Sequence, residues 1–246
     1  MIKKIILLLI NFFDYFHKKK ILKFLKQKKL YYFPTIFDVG AHKGESIFFF
    51  LSNFKVDKII SFEASPMNFV FLKKKEKNFR ERFKGTKIVL ENIGLGSDKK
   101  KVILNQFNES SSSTINEIDK ESTYFKKKFK LLNFFDRDKI SSPIEIDIES
   151  LNNYMKVNKI DTIDFLKIDT EGYEYEILLG LKDKLRGVKL LMFEHHYDNM
   201  IKKNYTFKNM HELLSNNNFK IIFKAKMPFR KTFEYIFMNK VNIIEE

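Results

Sequence analysis

The sequence predicts a doubly wound α/β domain behind a basic helical extension, and three observations carry that prediction. First, short apolar runs alternate with helical segments. Residues 35–39, 58–63 (KIISFE) and 87–92 (KIVLEN) read as strands, with helices at 44–54 and 66–78 between them. That β-α-β-α-β order implies parallel strands joined by right-handed crossovers. Second, the first strand runs into Asp38-Val39-Gly40-Ala41-His42-Lys43-Gly44, a polar, glycine-punctuated turn before a helix. Third, polar residues close strand after strand: Asp38, Glu63, Asn92, Asp169 with Glu171, and Glu194 with His195 and His196. In open α/β sheets ligands sit outside the carboxyl ends of the strands, where strand order reverses. Residues from separate strands converge there only in the fold.

The remaining elements follow in order. Residues 101–107 (KVILNQF) and 144–148 read as strands without a helical crossover between them, which marks an insertion at about 97–150. We expect a hairpin plus a loop reaching over the ligand edge of the sheet. This loop carries Ser110, Ser111, Ser112 and Ser113 with Thr114, and a basic, aromatic stretch at 124–135. A hydroxyl-rich loop there suits a substrate or cofactor carboxylate, and a plain flexible loop explains it equally well. The α/β rhythm resumes at Leu151, with strands at 164–169, 188–194, 219–224 and 234–238 and helices at 173–182 and 207–216. No repeat or domain-scale linker interrupts it, so residues 33–246 read as one domain behind an extension of residues 1–32.

Composition narrows the class. A 246-residue chain with 44% hydrophobic residues, 28 of them Phe, has the material for a substantial single core. The absence of cysteine excludes disulfides, a thiol nucleophile and zinc–thiolate sites, and it fits a reducing, cytoplasmic setting. The formal charge of +15 raises nucleic acid as a partner. Against it, only five of the 46 basic residues are Arg, the residue favoured for bidentate phosphate and base recognition. A solvated lysine-rich surface is the plainer reading.

Residues 1–30 hold nine Lys against one Asp, a net of +8. Two lysines precede an apolar run from Ile5 to Ile10, as in a signal peptide, but no small-residue cleavage site follows. The run is well short of the ~20 apolar residues of a spanning helix. Ile5, Leu9, Phe12, Phe13 and Phe16 share one helical face, and a lysine cluster follows. Such a helix fits peripheral contact with an anionic membrane, at the inner face for a cytoplasmic protein. It fits equally well packing on the domain's own core or on a second subunit.

The candidate site residues have distinct chemistry. Gly40 and Gly44 allow close backbone approach to a ligand. The acid at Asp38 occupies the place of the first glycine in the G-x-G-x-x-G dinucleotide fingerprint, where it would repel a pyrophosphate. A carboxylate beside glycines suits a nucleoside with a cationic centre, for which S-adenosylmethionine is the obvious candidate. Glu63 lies 19 residues beyond Gly44, close to the ~20 expected of an acid that accepts ribose hydroxyls. In Lys167-Ile168-Asp169-Thr170-Glu171-Gly172, one carboxylate can cap the following helix while another accepts a substrate proton. Lys167 fits a ligand-binding cation or a structural ion pair. His195 reads as a general base, a metal ligand or a packed residue, and adjacent His195 and His196 point to opposite faces of a strand. A metal on Asp169, Glu171 and His195 has no spacing signature to support it, and we assign none.

Taken together, FDVGAHKGE, FEASP, ENIGLGSDKKK, the SSST run, and FLKIDTEGYEYEILLG followed by MFEHH resemble the FkbM family of S-adenosylmethionine-dependent methyltransferases, from Phe37 to His196. Two positions depart from the family pattern: Ala64 with Pro66, where proline usually follows the acid directly, and His42, where Asn is usual. The resemblance implies a seven-stranded sheet of order 3-2-1-4-5-7-6 with the last strand antiparallel. It implies methyl transfer to a hydroxyl oxygen, often of a sugar on a glycan or glycosylated metabolite. By the same resemblance Asp38, Gly40, Ala41 and Gly44 line the methionine part of the cofactor, Glu63 holds the ribose, and Asn92 lies near the adenine. Asp169 and Glu171 then face the methyl group and the acceptor, with Asp169 the expected base or orienter and His195 second. An RNA-modifying methyltransferase is the main alternative, favoured by the charge and opposed by the scarcity of Arg. A non-catalytic binding protein on this fold would not need the intact strand-end acids, and a nicotinamide-dependent oxidoreductase is disfavoured by Asp38.

Overall fold

The computed structural model of the chain describes residues 2–107, 113–126, 141–228 and 230–242. Ser110, Ser111 and Ser112 of the serine run, and most of the 124–135 stretch, lie outside the described residues.

Strand alternation builds the domain. In β1 (Tyr32–Val39), Phe37 and Val39 join one apolar cluster while Ile36 joins another, because successive side chains point to opposite faces. The same division runs through β2 (Lys55–Phe62), β7 (Ile163–Ile168) and β8 (Val188–His196). Each face therefore needs its own cover of helices. One is covered by α1 (Ile2–Gln27), α2 (Glu45–Asn53) and α3 (Pro66–Arg82). The other is covered by α4 (Leu151–Val157), α5 (Glu174–Leu179) and α6 (Phe207–Asn216).

With β3 (Lys87–Glu91), β9 (Phe219–Lys226) and β10 (Thr232–Asn239), these strands form a seven-stranded sheet of order β3-β2-β1-β7-β8-β10-β9. Counted within this sheet alone, the order is 3-2-1-4-5-7-6. The last strand, β10, runs antiparallel to both neighbours, as the resemblance implied. Strand order reverses between β1 and β7, which places the ligand crevice at their carboxyl ends.

The other three strands, β4 (Gly94–Gly96), β5 (Lys100–Phe107) and β6 (Ser141–Ser150), form a small separate sheet. β5 and β6 pair antiparallel, and their inner residues Leu104, Ile146 and Ile148 pack beside Ala64 and Ile115. The three-residue β4 is too short and glycine-rich to read from sequence. It exists because β6 offers it a parallel partner from Ile148 to Ser150.

Other differences from the sequence reading have local causes. β1 starts at Tyr32, ahead of Pro34, although proline is disfavoured in a central strand. Pairing with β7 begins only at Ile36, and the amide of Thr35 donates to Asp164. Helix α5 stops at Leu179 rather than continuing to 182, and a 3₁₀ turn at Lys182–Gly187 follows. At Gly180 a Cβ would come within 2.0 Å of the Gly96 carbonyl, so the helix end is pressed against β4. The delayed proline of FEASP is a helix start: Ser65 caps α3 by accepting from the Asn68 amide, and Pro66 takes the first helical position.

Candidate active site

The turn after β1 is built from the inside. The Asp38 carboxylate is 0% exposed. One oxygen accepts from Ser46 Oγ at 2.5 Å and the other faces Lys167 Nζ at 3.2 Å. Asp38 and Lys167 are direct partners in the β1–β7 register, so the fold brings them together by pairing. The cation that this carboxylate called for is therefore supplied by the protein. Lys167 also lies 3.4 Å from Asp169 Oδ2. Burial works against its ammonium form, but Asp38 and Asp169 outweigh it and hold the lysine pKa above its ordinary value.

Three residues assigned to the methionine part shape this turn rather than present side chains to the crevice. Asp38 is enclosed, Ala41 is buried in the cluster under α2 and α3, and a Cβ on Gly44 would strike the Phe79 ring of α3 at 2.8 Å. Gly40 (φ +80°) lies so close to the end of β7 that a Cβ would fall 1.8 Å from the Asp169 carbonyl oxygen. His42 also has a left-handed backbone (φ +50°), a conformation for which Asn, Asp and His are enriched. Its departure from the family's usual Asn is compatible with the turn.

The turn also shows what it can bind. Gly40 and Ala41 donate their amides to the Phe62 carbonyl and Gly44 donates to Ala41. His42 donates to Glu63 at 2.7 Å and Lys43 to the Glu45 carboxylate at 3.1 Å. With the amides of residues 40–44 committed, the turn offers no N–H nest for a phosphate. This arrangement disfavours a pyrophosphate.

Glu63 directly follows β2, nearly buried, with its oxygens accepting from the amides of His42 and Ser65 and from Asn68 Nδ2. Burial pushes its pKa up, opposed by those amides. Asn92 lies exposed beside it and donates to the Glu63 carbonyl at 2.8 Å. Ser65 Oγ donates to Gln106, and Gln106 Nε2 donates to Ser113 Oγ at 2.8 Å, which ties the turn after Glu63 to the inserted loop.

Across the crevice, a residue that the sequence reading passed over organises the Asp169–Gly172 turn. Glu174, 1% exposed, accepts from the amides of Thr170 and Gly172, from Thr170 Oγ1 and from the Tyr205 hydroxyl. Because this third acid binds the turn, Asp169 and Glu171 are not needed for capping. The insertion secures the same turn from outside: Thr114 Oγ1 donates to the Glu171 carbonyl at 2.7 Å and Asn116 Nδ2 to the Gly172 carbonyl at 2.6 Å. Glu171 is held at φ +52°. The Asp169 side chain remains 35% exposed.

At the end of β8 the structure corrects the choice of histidine. His195 is buried on the face away from Glu171, its ring against Tyr197, Tyr205 and Phe207. Burial, with Lys203 and His196 nearby, lowers its pKa to about 3, and the rings around it turn it away from the Asp169–Glu171 side expected of a second base. His196 is the histidine in the site. Its Nε2 is 3.4 Å from Glu171 Oε2, and its Nδ1 is 3.2 Å from Thr232 Oγ1 and 3.6 Å from Asp198 Oδ2. Burial opposes its charged form, yet Glu171, Asp198 and Glu194 outweigh this and raise its pKa to about 9. An imidazolium there orients Glu171 rather than taking a proton.

Glu194 sits directly opposite Glu234 across the β8–β10 ladder. Two like charges in register are unfavourable. Burial, with Asp169 and Glu234 nearby, raises the Glu194 pKa well above the ordinary carboxylate value. Glu234 is answered from α1, where His17 Nε2 lies 2.7 Å from its carboxylate. Asp14 of the same helix meets Arg230 at 3.2 Å. The extension thus supplies polar partners to the border of the site, which no local sequence signal announces. Among the described residues, no three His, Asp or Glu side chains are grouped to hold a metal ion.

The two histidines predict opposite pH dependences. His196 has its folded pKa raised from 6.5 to about 9, so its contribution is fully present below pH 6.5 and lost as pH rises through about 9. The size is on the order of 3 kcal/mol. For His195, lowered to about 3, the contribution is present above pH 6.5 and lost as pH falls through about 3. Melting temperatures of His196→Gln are therefore expected to differ most from wild type below pH 6.5 and to converge with it above pH 9. A difference constant from pH 6 to 10 would remove the imidazolium.

A parallel-stranded crevice of this order, lined by acids and lacking a phosphate nest, defines a nucleoside-dependent group-transfer site. The model of the methyltransferase FkbM domain matches residues 38–221, and the chain belongs to that family. An FkbM methyltransferase structure from Methylobacillus flagellatus KT is 14% identical, with a TM-score of 0.55, over 83% of this chain and 43% of that one. The chain thus spans less than half of that protein's length. A magnesium protoporphyrin IX methyltransferase from Synechocystis PCC 6803, solved with bound S-adenosylmethionine, is 8% identical, with a TM-score of 0.50, over 94% of this chain and 81% of that one. At these identities the likeness is one of fold. No curated protein matches the chain.

Proposed function

We propose that this chain transfers a methyl group from S-adenosylmethionine to a hydroxyl oxygen of a carbohydrate-containing acceptor. The observation that carries this reading is the open Asp169 carboxylate at the switch point, relieved of capping by Glu174 and steadied by Lys167. The family supports the donor, and the acid-lined crevice supports a hydroxyl acceptor.

The 40–44 turn would hold the methionine part. Glu63, with three bonds donated to it from the protein, keeps an acceptor direction for a ribose hydroxyl, and Asn92 would border the adenine. The bound donor supplies an already activated methyl group. The protein's task is then alignment for in-line attack and removal of a proton from a weakly nucleophilic hydroxyl. Asp169 takes that proton, and Glu171, oriented by His196, holds the acceptor.

Calorimetry should show 1:1 binding of S-adenosylmethionine, with Glu63→Ala abolishing it. Label from methyl-tritiated donor should then appear in a glycan or glycolipid fraction as an alkali-stable methyl ether. Absence of binding sinks the methyltransferase reading. Binding with label only in RNA, or only in alkali-labile esters, sinks the sugar hydroxyl.

A further inference from the structure

Helix α1 has two unlike long faces. Asp14, His17, Ile21, Phe24 and Leu25 turn inward, where Ile21 and Leu25 are buried in the cluster under α2 and Phe24 stacks on Phe223 at 4.7 Å. On the opposite side, at helical spacing, lie Phe12, Tyr15, Phe16, Lys19, Lys23 and Lys26. The three aromatic side chains are 54%, 53% and 44% exposed. They form one patch: the rings of Phe12 and Phe16 are 4.8 Å apart, those of Tyr15 and Phe16 5.6 Å, and Lys19 Nζ lies 4.5 Å above the Tyr15 ring.

Solvent gives no reason to gather three aromatic rings on the outer face of a helix whose inner face is already satisfied. Two features point to one occupant. The patch continues directly into lysines on the same face, with exposed Lys18 and Lys20 at its flank. The one acid of this segment, Asp14, is turned away and held by Arg230.

We propose that the outer face of α1 docks on an anionic lipid bilayer, with Phe12, Tyr15 and Phe16 entering the headgroup–acyl boundary and Lys19, Lys23 and Lys26 meeting lipid phosphates. Because α1 also supplies His17 to Glu234, docking sets this end of β10 close to the membrane surface. The inference is independent of the acceptor and of the methyl-transfer reading, since its readout is vesicle binding.

The test is co-sedimentation of the full chain with sucrose-loaded vesicles of phosphatidylcholine alone or mixed with phosphatidylglycerol. We expect binding to the mixed vesicles only. Replacing Lys19, Lys23 and Lys26 together by Gln should weaken it by on the order of a hundredfold at low salt. Phe12→Ser, Tyr15→Ser and Phe16→Ser combined should weaken it by about tenfold or more while leaving the melting temperature unchanged. Equal binding to neutral vesicles, no binding, or full binding by the aromatic variant overturns the proposal. So does a wild-type dimer in sedimentation equilibrium that the aromatic variant dissociates, which would assign the patch to a second copy of the chain.

Discussion

Asp169→Asn is expected to lower methyl transfer by about 10²- to 10⁴-fold, the range for loss of a positioned proton acceptor, while donor affinity changes little. Asn preserves the size of the side chain and its place at the end of β7, and Lys167 keeps its partner Asp38. What is lost is the ability to take a proton. The other candidates are less suited by their surroundings: burial beside Asp169 and Glu234 pushes the Glu194 pKa up, His196 is held as an imidazolium, and His195 faces aromatic rings. Glu171 is oriented by His196, so Glu171→Gln should act mainly on acceptor KM. Single-turnover transfer of a labelled methyl group, read beside calorimetric donor affinity, separates the two. An Asp169→Asn enzyme with wild-type single-turnover rate would remove Asp169 as the base.

The strand order and the strand-end acids were legible because both are written in local pattern: apolar runs closed by a polar residue, most of them followed by a helical segment. The direction of the side chains was not. Asp38 reads as a ligand for a cation, and only the β1–β7 register reveals that Lys167 is that cation. Gly44 and Ala41 read as cofactor contacts because they belong to the motif, yet Phe79 and the neighbouring core set their size. Alternation in a strand said that one of His195 and His196 could enter the site. Choosing between them needed the neighbours that α6 and the Asp198 turn bring. Glu174 was hidden because one more acid in an acidic turn carries no sequence mark of its four bonds. His17 was hidden by distance, being 217 residues from its partner Glu234.

The largest effect on stability is expected from Lys167→Met. Removing the lysine leaves the fully enclosed Asp38 carboxylate with Ser46 alone, and breaking a buried ion pair from one side costs about 3–5 kcal/mol. The double variant Asp38→Asn with Lys167→Met should recover much of that loss, because the amide still accepts from Ser46 and no unpaired charge remains. A buried pair of this kind is weak evidence that charge is needed for stability. Its value lies in position, since the same lysine reaches Asp169 at 3.4 Å and joins the turn after β1 to the turn after β7. Urea denaturation of the two single variants and the double gives the coupling energy directly. Donor affinity and single-turnover rate in the double variant then show what the lysine does for the site. Should the double variant be as stable as wild type but slow in transfer, Lys167 is a positioning residue for Asp169. Should it be both stable and fully active, the pair only fills space between β1 and β7, and Asp169 holds its place without it.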